Sequence, residues 1–438
     1  MKFYLNDLIK FIKTNKNIFS LSLYFLLVSI LFISFFSLLS KTTNNFLVPY
    51  SLPQESYNYE ETANVGTFIT DSNEDTNTKL LSYLNDFFST RNQSFLTGNV
   101  ENLYKFYDLS HSYSKYSLHH EFKRISYLRD FANERGIIFE DITSTHYIKN
   151  IQINNTIIKL EVDETFTVTY IYPENPTVKN KFSITLIHTE ELQVIVSGFT
   201  IQKDYYFDSF ENALKKYNFN LTEKKLPLTS YKTYNINFNR RDLNFKENKT
   251  YNRSAAVKYA DKYSGILTNK DSIQYNPYYF NASALSYGGN STNFVSQCLS
   301  DNEMGGSLKQ DKTWFYNSKD SKAPKISDAW INPKELKDYL IYTNKGSLVK
   351  SSDIQNLLSE VTDTSSPFLN LQAGDLIFYS KGDIPVYSSI ITTFDSNGYP
   401  LVNSNTVNRF HVPFDLGFSD DDITFQLISI NWKKDIAK

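Results

Sequence analysis

The residues best placed to do chemistry lie in one run, 287–299, which reads YGGNSTNFVSQCL. Gly288 and Gly289 permit a tight turn and close backbone approach, and Ser291 or Thr292 then serves as the cap of a helix. Phe294, Val295, Cys298 and Leu299 form the buried stripe of that helix. Ser291 thereby stands at a helix N-terminus, where partial positive charge favours an activated nucleophile and a neighbouring oxyanion. A serine hydroxyl is a weak nucleophile without a base in reach. Cys298, the single cysteine of the chain, lies two turns further along and reads as core packing.

Other candidates carry less. His411, in the run RFHVP, is the only histidine near this segment, and nothing in its spacing brings it to Ser291. His111, His119, His120 and His146, with Glu121, are scattered rather than spaced for convergence, and read as solvated or helix-capping groups. Asp301 with Glu303, and the run Asp420, Asp421, Asp422, read as solvated acidic loops or weak cation sites, without the ligand spacing of a calcium-binding EF-hand loop. The patterns HExxH, GxSxG, GxxxxGKS/T and GxGxxG are all missing. The expectation is therefore no cofactor and no metal. One cysteine also excludes a disulfide framework, a CxxC redox pair and a cysteine-rich zinc site.

The elements that must position these residues begin with length. The chain has 438 residues, enough for two to four domains of about 100 to 200 residues each. With 45 basic and 47 acidic residues the net charge is −2, so no basic surplus points to nucleic acid. Aromatics at 16% supply bulk for more than one core and exclude disorder over the whole length. Residues 18–39, IFSLSLYFLLVSILFISFFSLL, carry no charge and are long enough to span a hydrocarbon core of about 30 Å. Lys2, Lys10, Lys13 and Lys16 precede them. The sequence-based expectation is a single-pass transmembrane helix with a cytoplasmic tail (1–17), followed by a tether (40–74) and extracytoplasmic domains at the cell membrane.

From residue 75 to 223 the pattern is α+β. Leu80, Leu81, Leu84, Phe87 and Phe88 share one helical face, Leu103, Phe106, Tyr107 and Leu109 a second, and Phe122, Ile125, Leu128 and Phe131 a third. Strands are expected over 151–154, 157–172, 182–189 and 192–201, with hairpin turns at Asn154-Asn155 and Glu190-Glu191. Helices first and a curved antiparallel sheet second resemble the cone-shaped NTF2-like fold. Residues 224–249 are polar and read as a linker with one strand at 233–238. Beyond them, Ala255, Ala256, Tyr259, Ala260 and Tyr263 mark a helix capped by Ser254, and strands are expected over 373–380, 386–395, 400–406 and 425–432. A helix packed on such a sheet is a papain-like arrangement.

The runs YNRSAAVKYA, GGNSTNFVSQCL, Trp330 with KELKDYL, AGDLIFY, YSSIIT and NTVNRFHVPF make the segment 250–438 resemble the amidase domain family of exported proteins of Gram-positive bacteria. That resemblance implies amide-bond hydrolysis by a cysteine at the head of the helix and a histidine heading a strand. It implies a second histidine near the end. This chain departs at each place: Ser291 stands for the cysteine, Asn290 for the preceding acid, Tyr387 for the strand histidine and Asn405 for the last histidine. With no catalytic residue expected, the resemblance leaves Ser291, Tyr387 and Asn405 as degenerate site positions, and Asn290, Asn293, Trp330 and Asn408 as groove-lining candidates. A tyrosine of ordinary pKa near about 10 is a poor base at neutral pH.

The leading expectation is a membrane-anchored extracytoplasmic pseudo-amidase that binds peptidoglycan peptides or envelope proteins in the former hydrolytic groove. The alternatives are an active cell-wall or peptide amidase with a rearranged Ser291 site, and a structural assembly protein of an envelope or sporulation complex.

Overall fold

The computed structural model describes residues 74–207, 211–238, 250–266, 275–279, 289–317, 325–359, 366–418 and 422–430. The chain divides into two compact units, Met1–Gln54 and Glu55–Lys438, and every described residue belongs to the second.

The first elements are helices α1 (Glu74–Thr97) and α2 (Ser112–Glu134), with a one-turn 3-10 segment, Glu101–Phe106, between them. Leu80, Leu84, Phe87 and Phe88 on α1, and Leu118, Phe122, Ile125 and Leu128 on α2, recur at three- and four-residue spacing and are buried. The helix expected over 103–109 is that tight 3-10 turn. Helix α2 ends at Gly136, whose φ of +65° is the left-handed conformation that stops a helix at little steric expense. Four antiparallel strands follow: β1 (Ile138–Asn154), β2 (Ile157–Ile171), β3 (Asn180–Ile195) and β4 (Gly198–Phe207). The turn expected at Asn154-Asn155 forms, with Asn155 at φ +53°. The turn expected at Glu190-Glu191 does not. Strand β3 runs straight through both residues, and the chain reverses only after Ile195.

Residues 233–238 form no strand. They run extended and strap the first half to the second: Tyr234 N donates to Glu134 O at 2.7 Å and Phe238 N to Asn397 O at 3.0 Å. The second half comprises α3 (Arg253–Lys262), α4 (Ser291–Ser300), the two-residue strands β5 (Tyr316–Asn317) and β6 (Lys325–Ile326), α5 (Asp328–Ile331) and α6 (Pro333–Tyr342). Then come β7 (Gly346–Ser352), α7 (Ile354–Ser359), β8 (Leu376–Lys381), β9 (Ile384–Phe394), β10 (Pro400–Ser404), β11 (Arg409–Pro413) and β12 (Ile423–Ile430). Helix α3 is capped by the Asn252 side chain, which accepts from Ala255 N, rather than by Ser254. Phe294, Val295, Cys298 and Leu299 of α4 join Tyr259, Trp314, Trp330, Leu376, Phe378, Ile390 and Ile428 in one core against the sheet.

The two halves share that sheet. Its order is β1-β2-β3-β11-β10-β9-β8-β12-β7, with β4 also on β3. The edge of β3 opposite β2 is divided: Ser183 and Ile184 pair with β11, and Ile187 to Ile195 pair with β4. Buried polar contacts reinforce the seam. Tyr170 and Tyr172 donate their hydroxyls to Asp395 Oδ2 at 3.1 and 2.8 Å, Arg135 forms a buried ion pair with Asp415, and Gly417 N donates to Tyr127 Oη at 2.6 Å.

The expected membrane span is corrected. Among the described residues no helix is long and apolar enough to cross a membrane. The two longest, α1 and α2, have the length but carry charged residues along them, as helices do when they cover a sheet with one face only. The expected span at 18–39 and its tail lie outside the described residues, as does the tether except for Glu74, which opens α1. The single-pass topology, the placement at the cell membrane and the membrane as partner rested on that span and are withdrawn with it. The fold is α+β, helices on a multi-stranded antiparallel sheet.

Candidate functional site

The N-terminus of α4 is pressed onto the loop after β10. Gly289 has φ +128°, and a Cβ there would come within 2.7 Å of Thr406 Oγ1, so only glycine admits the approach. Asn290 N donates to that same Oγ1 at 2.8 Å. Asn290, not Ser291 or Thr292, takes the N-cap position, and its side chain makes no cap bond. Its Oδ1 instead accepts from Asn293 Nδ2 at 2.7 Å, while Asn293 Oδ1 accepts from Trp330 Nε1 at 2.7 Å. Thr292 Oγ1 bonds Ser388 Oγ of β9 at 3.0 Å. Three of the expected groove-lining residues, Asn290, Asn293 and Trp330, thus form one buried chain of neutral hydrogen bonds. The fourth, Asn408, is engaged separately, accepting from Tyr275 Oη and donating to Gly265 O, each at 3.0 Å.

Tyr387 and Asn405 meet at the loop after β10, and the backbone of Asn290, the residue before Ser291, bonds Thr406 of that loop. Tyr387 Oη bonds Ser404 Oγ at 2.7 Å and donates to Asn405 O at 3.1 Å. The Asn405 amide, oriented with its nitrogen toward the carbonyls of Ser264 and Ser404, lies 3.1 and 3.3 Å from them. Burial pushes the Tyr387 phenol further up from its ordinary value, which makes it a worse base than a free tyrosine. Ser291, Tyr387 and Asn405 retain 6%, 7% and 2% of their surface, so they are covered rather than arrayed along an open groove. His411 is occupied elsewhere: Nε2 meets Asp261 Oδ1 at 3.0 Å and the ring stacks on Phe410. Cys298 is fully buried, and burial raises its thiol well above the ordinary range, so it is inert.

An open recess of this half lies at the other end of α4, about 15 Å away at 1.5 Å per residue. It encloses about 680 Å³ and is lined by Tyr263, Tyr278, Tyr279, Asp301, Glu303 and Tyr316 among others. Asp301 accepts from the backbone of Glu303, Met304 and Gly305 and from Tyr279 Oη at 2.9 Å. Asp422 pairs with Lys381 at 3.3 Å, while Asp420 and Asp421 lie outside the described residues.

In the first half the scattered histidines stay apart. His111 sits at the N-cap of α2 without a cap bond, His119 Nε2 accepts from Phe219 N, His120 meets Glu211 at 2.9 Å, His146 lies against Phe88, and Glu121 accepts from Tyr206 Oη. The residues that do converge are ones the sequence reading passed over: His188 and Glu190 on β3, Asp204 on β4 and Glu164 on β2. A signal existed. Phe182, Ile184, Leu186, His188, Glu190 and Leu192 alternate on one buried face, and two ionisable residues interrupt an otherwise apolar series.

No curated protein matches the chain. Among solved structures, one described as "Crystal structure of intermembrane space region of chloroplast protein ARC6" is similar at 13% identity, over 32% of this chain and 98% of that chain, with a TM-score of 0.22. A likeness of that size carries no argument here. Residues 250–428 match the family described as "Putative amidase domain". The chain therefore carries a C-terminal amidase-like domain whose catalytic set is incomplete, with one cysteine, Cys298, buried in the core and no cysteine–histidine pair.

Proposed function

We propose that this protein is a non-catalytic assembly protein, in which a retired amidase domain and an NTF2-like module are fused through one sheet into a scaffold that holds partner proteins. One observation carries the reading: Ser291, Tyr387 and Asn405 are covered, and the last two are bonded into their own loop. A nucleophile needs a base within reach and a path for substrate. Among the described residues neither is on hand at Ser291. The helices-then-sheet order of the first half supports the NTF2-like reading of that module. The shared strands and the buried Arg135–Asp415 pair support a rigid body over two modules that move independently.

A partner engages the outer surface rather than the former catalytic groove. The tyrosine-lined recess offers ring faces and the carboxylates of Asp301 and Glu303 at the negative end of α4, which suits basic side chains of a partner segment. The test is isolation of the full chain from its own cells after mild cross-linking, with native mass spectrometry of the product. The expected result is a complex of fixed stoichiometry that survives Ser291→Ala and weakens in Tyr278→Ala. A chain recovered alone, or a complex indifferent to Tyr278→Ala, would overturn the reading.

A further inference from the structure

We propose that His188, Glu190 and Asp204, inside the first half, form a binding site for one divalent first-row transition ion of the zinc type. All three are buried, and one ligand atom from each lies within 4.8 Å of the others. His188 Nδ1 stands 3.0 Å from Asp204 Oδ1 and 3.9 Å from Glu190 Oε1. Donors about 2.1 Å from a tetrahedral ion lie about 3.4 Å from one another, so the three atoms need only small shifts to share one. One imidazole and two carboxylates are a donor set that zinc and its neighbours accept.

Two further observations point the same way. Glu190 is fully buried, directed at His188, and neither of its carboxylate oxygens has a hydrogen-bond partner. A carboxylate in that condition is strongly disfavoured unless a cation meets it or it holds a proton. Asp204 Oδ2 is likewise buried without a partner. The second observation is the far side of the ring. His188 Nε2 lies 3.0 Å from Glu164 Oε2, and Glu164 is in turn held by Arg91 and Ser144. A carboxylate on the remote nitrogen is the usual way a ligating histidine is oriented, since it fixes which nitrogen keeps its proton.

The charges then balance. Arg91 neutralises Glu164, the ion takes the place of the Nδ1 proton, which leaves to solvent, and two positive charges meet the carboxylates of Glu190 and Asp204. Without an ion, a doubly protonated His188 accounts for Glu164 and Asp204, and Glu190 is left to hold a proton of its own. The scattered-histidine reading missed this site because it weighed His111, His119, His120 and His146, and because Glu190 read as a turn.

The full chain tests the site, unfolded in chelator and refolded with Zn²⁺ or Co²⁺. Desalted protein is expected to retain about one equivalent, to melt higher than the ion-free chain, and with Co²⁺ to show the visible absorption of a low-coordinate site with nitrogen and oxygen donors. Glu190→Gln and Asp204→Asn should lose retention, spectrum and melting shift together, while His111→Gln keeps them. Should those variants fail to fold, X-ray absorption on the Co²⁺ parent decides, by showing or lacking a single imidazole among oxygen donors. A parent that retains no ion overturns the proposal. So does retention that survives Glu190→Gln, which would place the ion elsewhere, or a Glu190→Gln chain that is more stable and as indifferent to Zn²⁺ as its parent, which would mean a proton fills the role.

Discussion

The two candidate sites, one in each half, bury polar groups in different ways. Around Ser291 most interior polar atoms are neutral hydroxyls and amides that satisfy one another, Asn290 with Asn293 and Trp330, Thr292 with Ser388, Tyr387 with Ser404, and the buried guanidinium of Arg409 near Tyr387 is the charged exception. Inside the first half they are ions: Arg91, Glu164, His188, Glu190 and Asp204, with carboxylate oxygens left over. Neutral donors and acceptors can be matched pairwise and then forgotten by the solvent. Buried charges cannot, because each unmatched one keeps most of its desolvation penalty. A site that has lost its chemistry is free to relax into the first condition. The second persists only where something holds it.

The largest effect should come from breaking the charged interior. Arg91→Met leaves Glu164 buried without its cation and is expected to lower the unfolding free energy by about 3 to 5 kcal/mol, read by urea denaturation. A loss under about 1 kcal/mol would mean the ions are not coupled as the geometry states.

The seam between the halves gives the next effect, through pH. Burial raises the Asp395 carboxyl from 3.8 to about 6, against the hydrogen bonds of Tyr172 and Tyr170. The native state thus holds a proton that the unfolded chain releases, and the stability it lends is full below about pH 4 and lost as pH rises through about 6. At roughly 1.4 kcal/mol per pH unit the span is about 3 kcal/mol, and Asp395→Asn should remove that slope from the pH dependence of denaturation.

Changes at the neutral site should matter less. Tyr387→Phe removes one hydroxyl and leaves Ser404 and Asn405 to find other partners, an expected loss of about 1 to 2 kcal/mol in the same assay. Smallest is Ser291→Ala, which deletes no cap bond and introduces a better helix former. Its stability should stay within about 0.5 kcal/mol of the parent.

Part of this contrast was legible in the sequence. Period-two alternation marked β2 and β3, the Asn154-Asn155 pair marked their neighbour's turn, and the run TNFVSQCL marked α4 with Cys298 on its buried side. Of the degenerate positions Ser291, Tyr387 and Asn405, the last two are in direct contact, Tyr387 Oη donating to Asn405 O. The ionic interior was not legible, for a local reason: two adjacent glutamates inside a strand look like a turn when only neighbours along the chain are weighed. The fusion of the halves had no local signature either, since the β3–β11 pairing joins residues more than two hundred positions apart. The charge-free run at 18–39 weighed heavily in the sequence, yet no described helix answers to it.

The most direct test of the central claim, that the amidase-like site is closed and silent, is turnover. Full-length protein would be incubated with purified peptidoglycan and with muropeptides, beside Ser291→Ala, and new amines and carboxylates counted by mass spectrometry. The account predicts no release above the blank for either chain. Release by the parent that disappears in Ser291→Ala would contradict it and make Ser291 a working nucleophile.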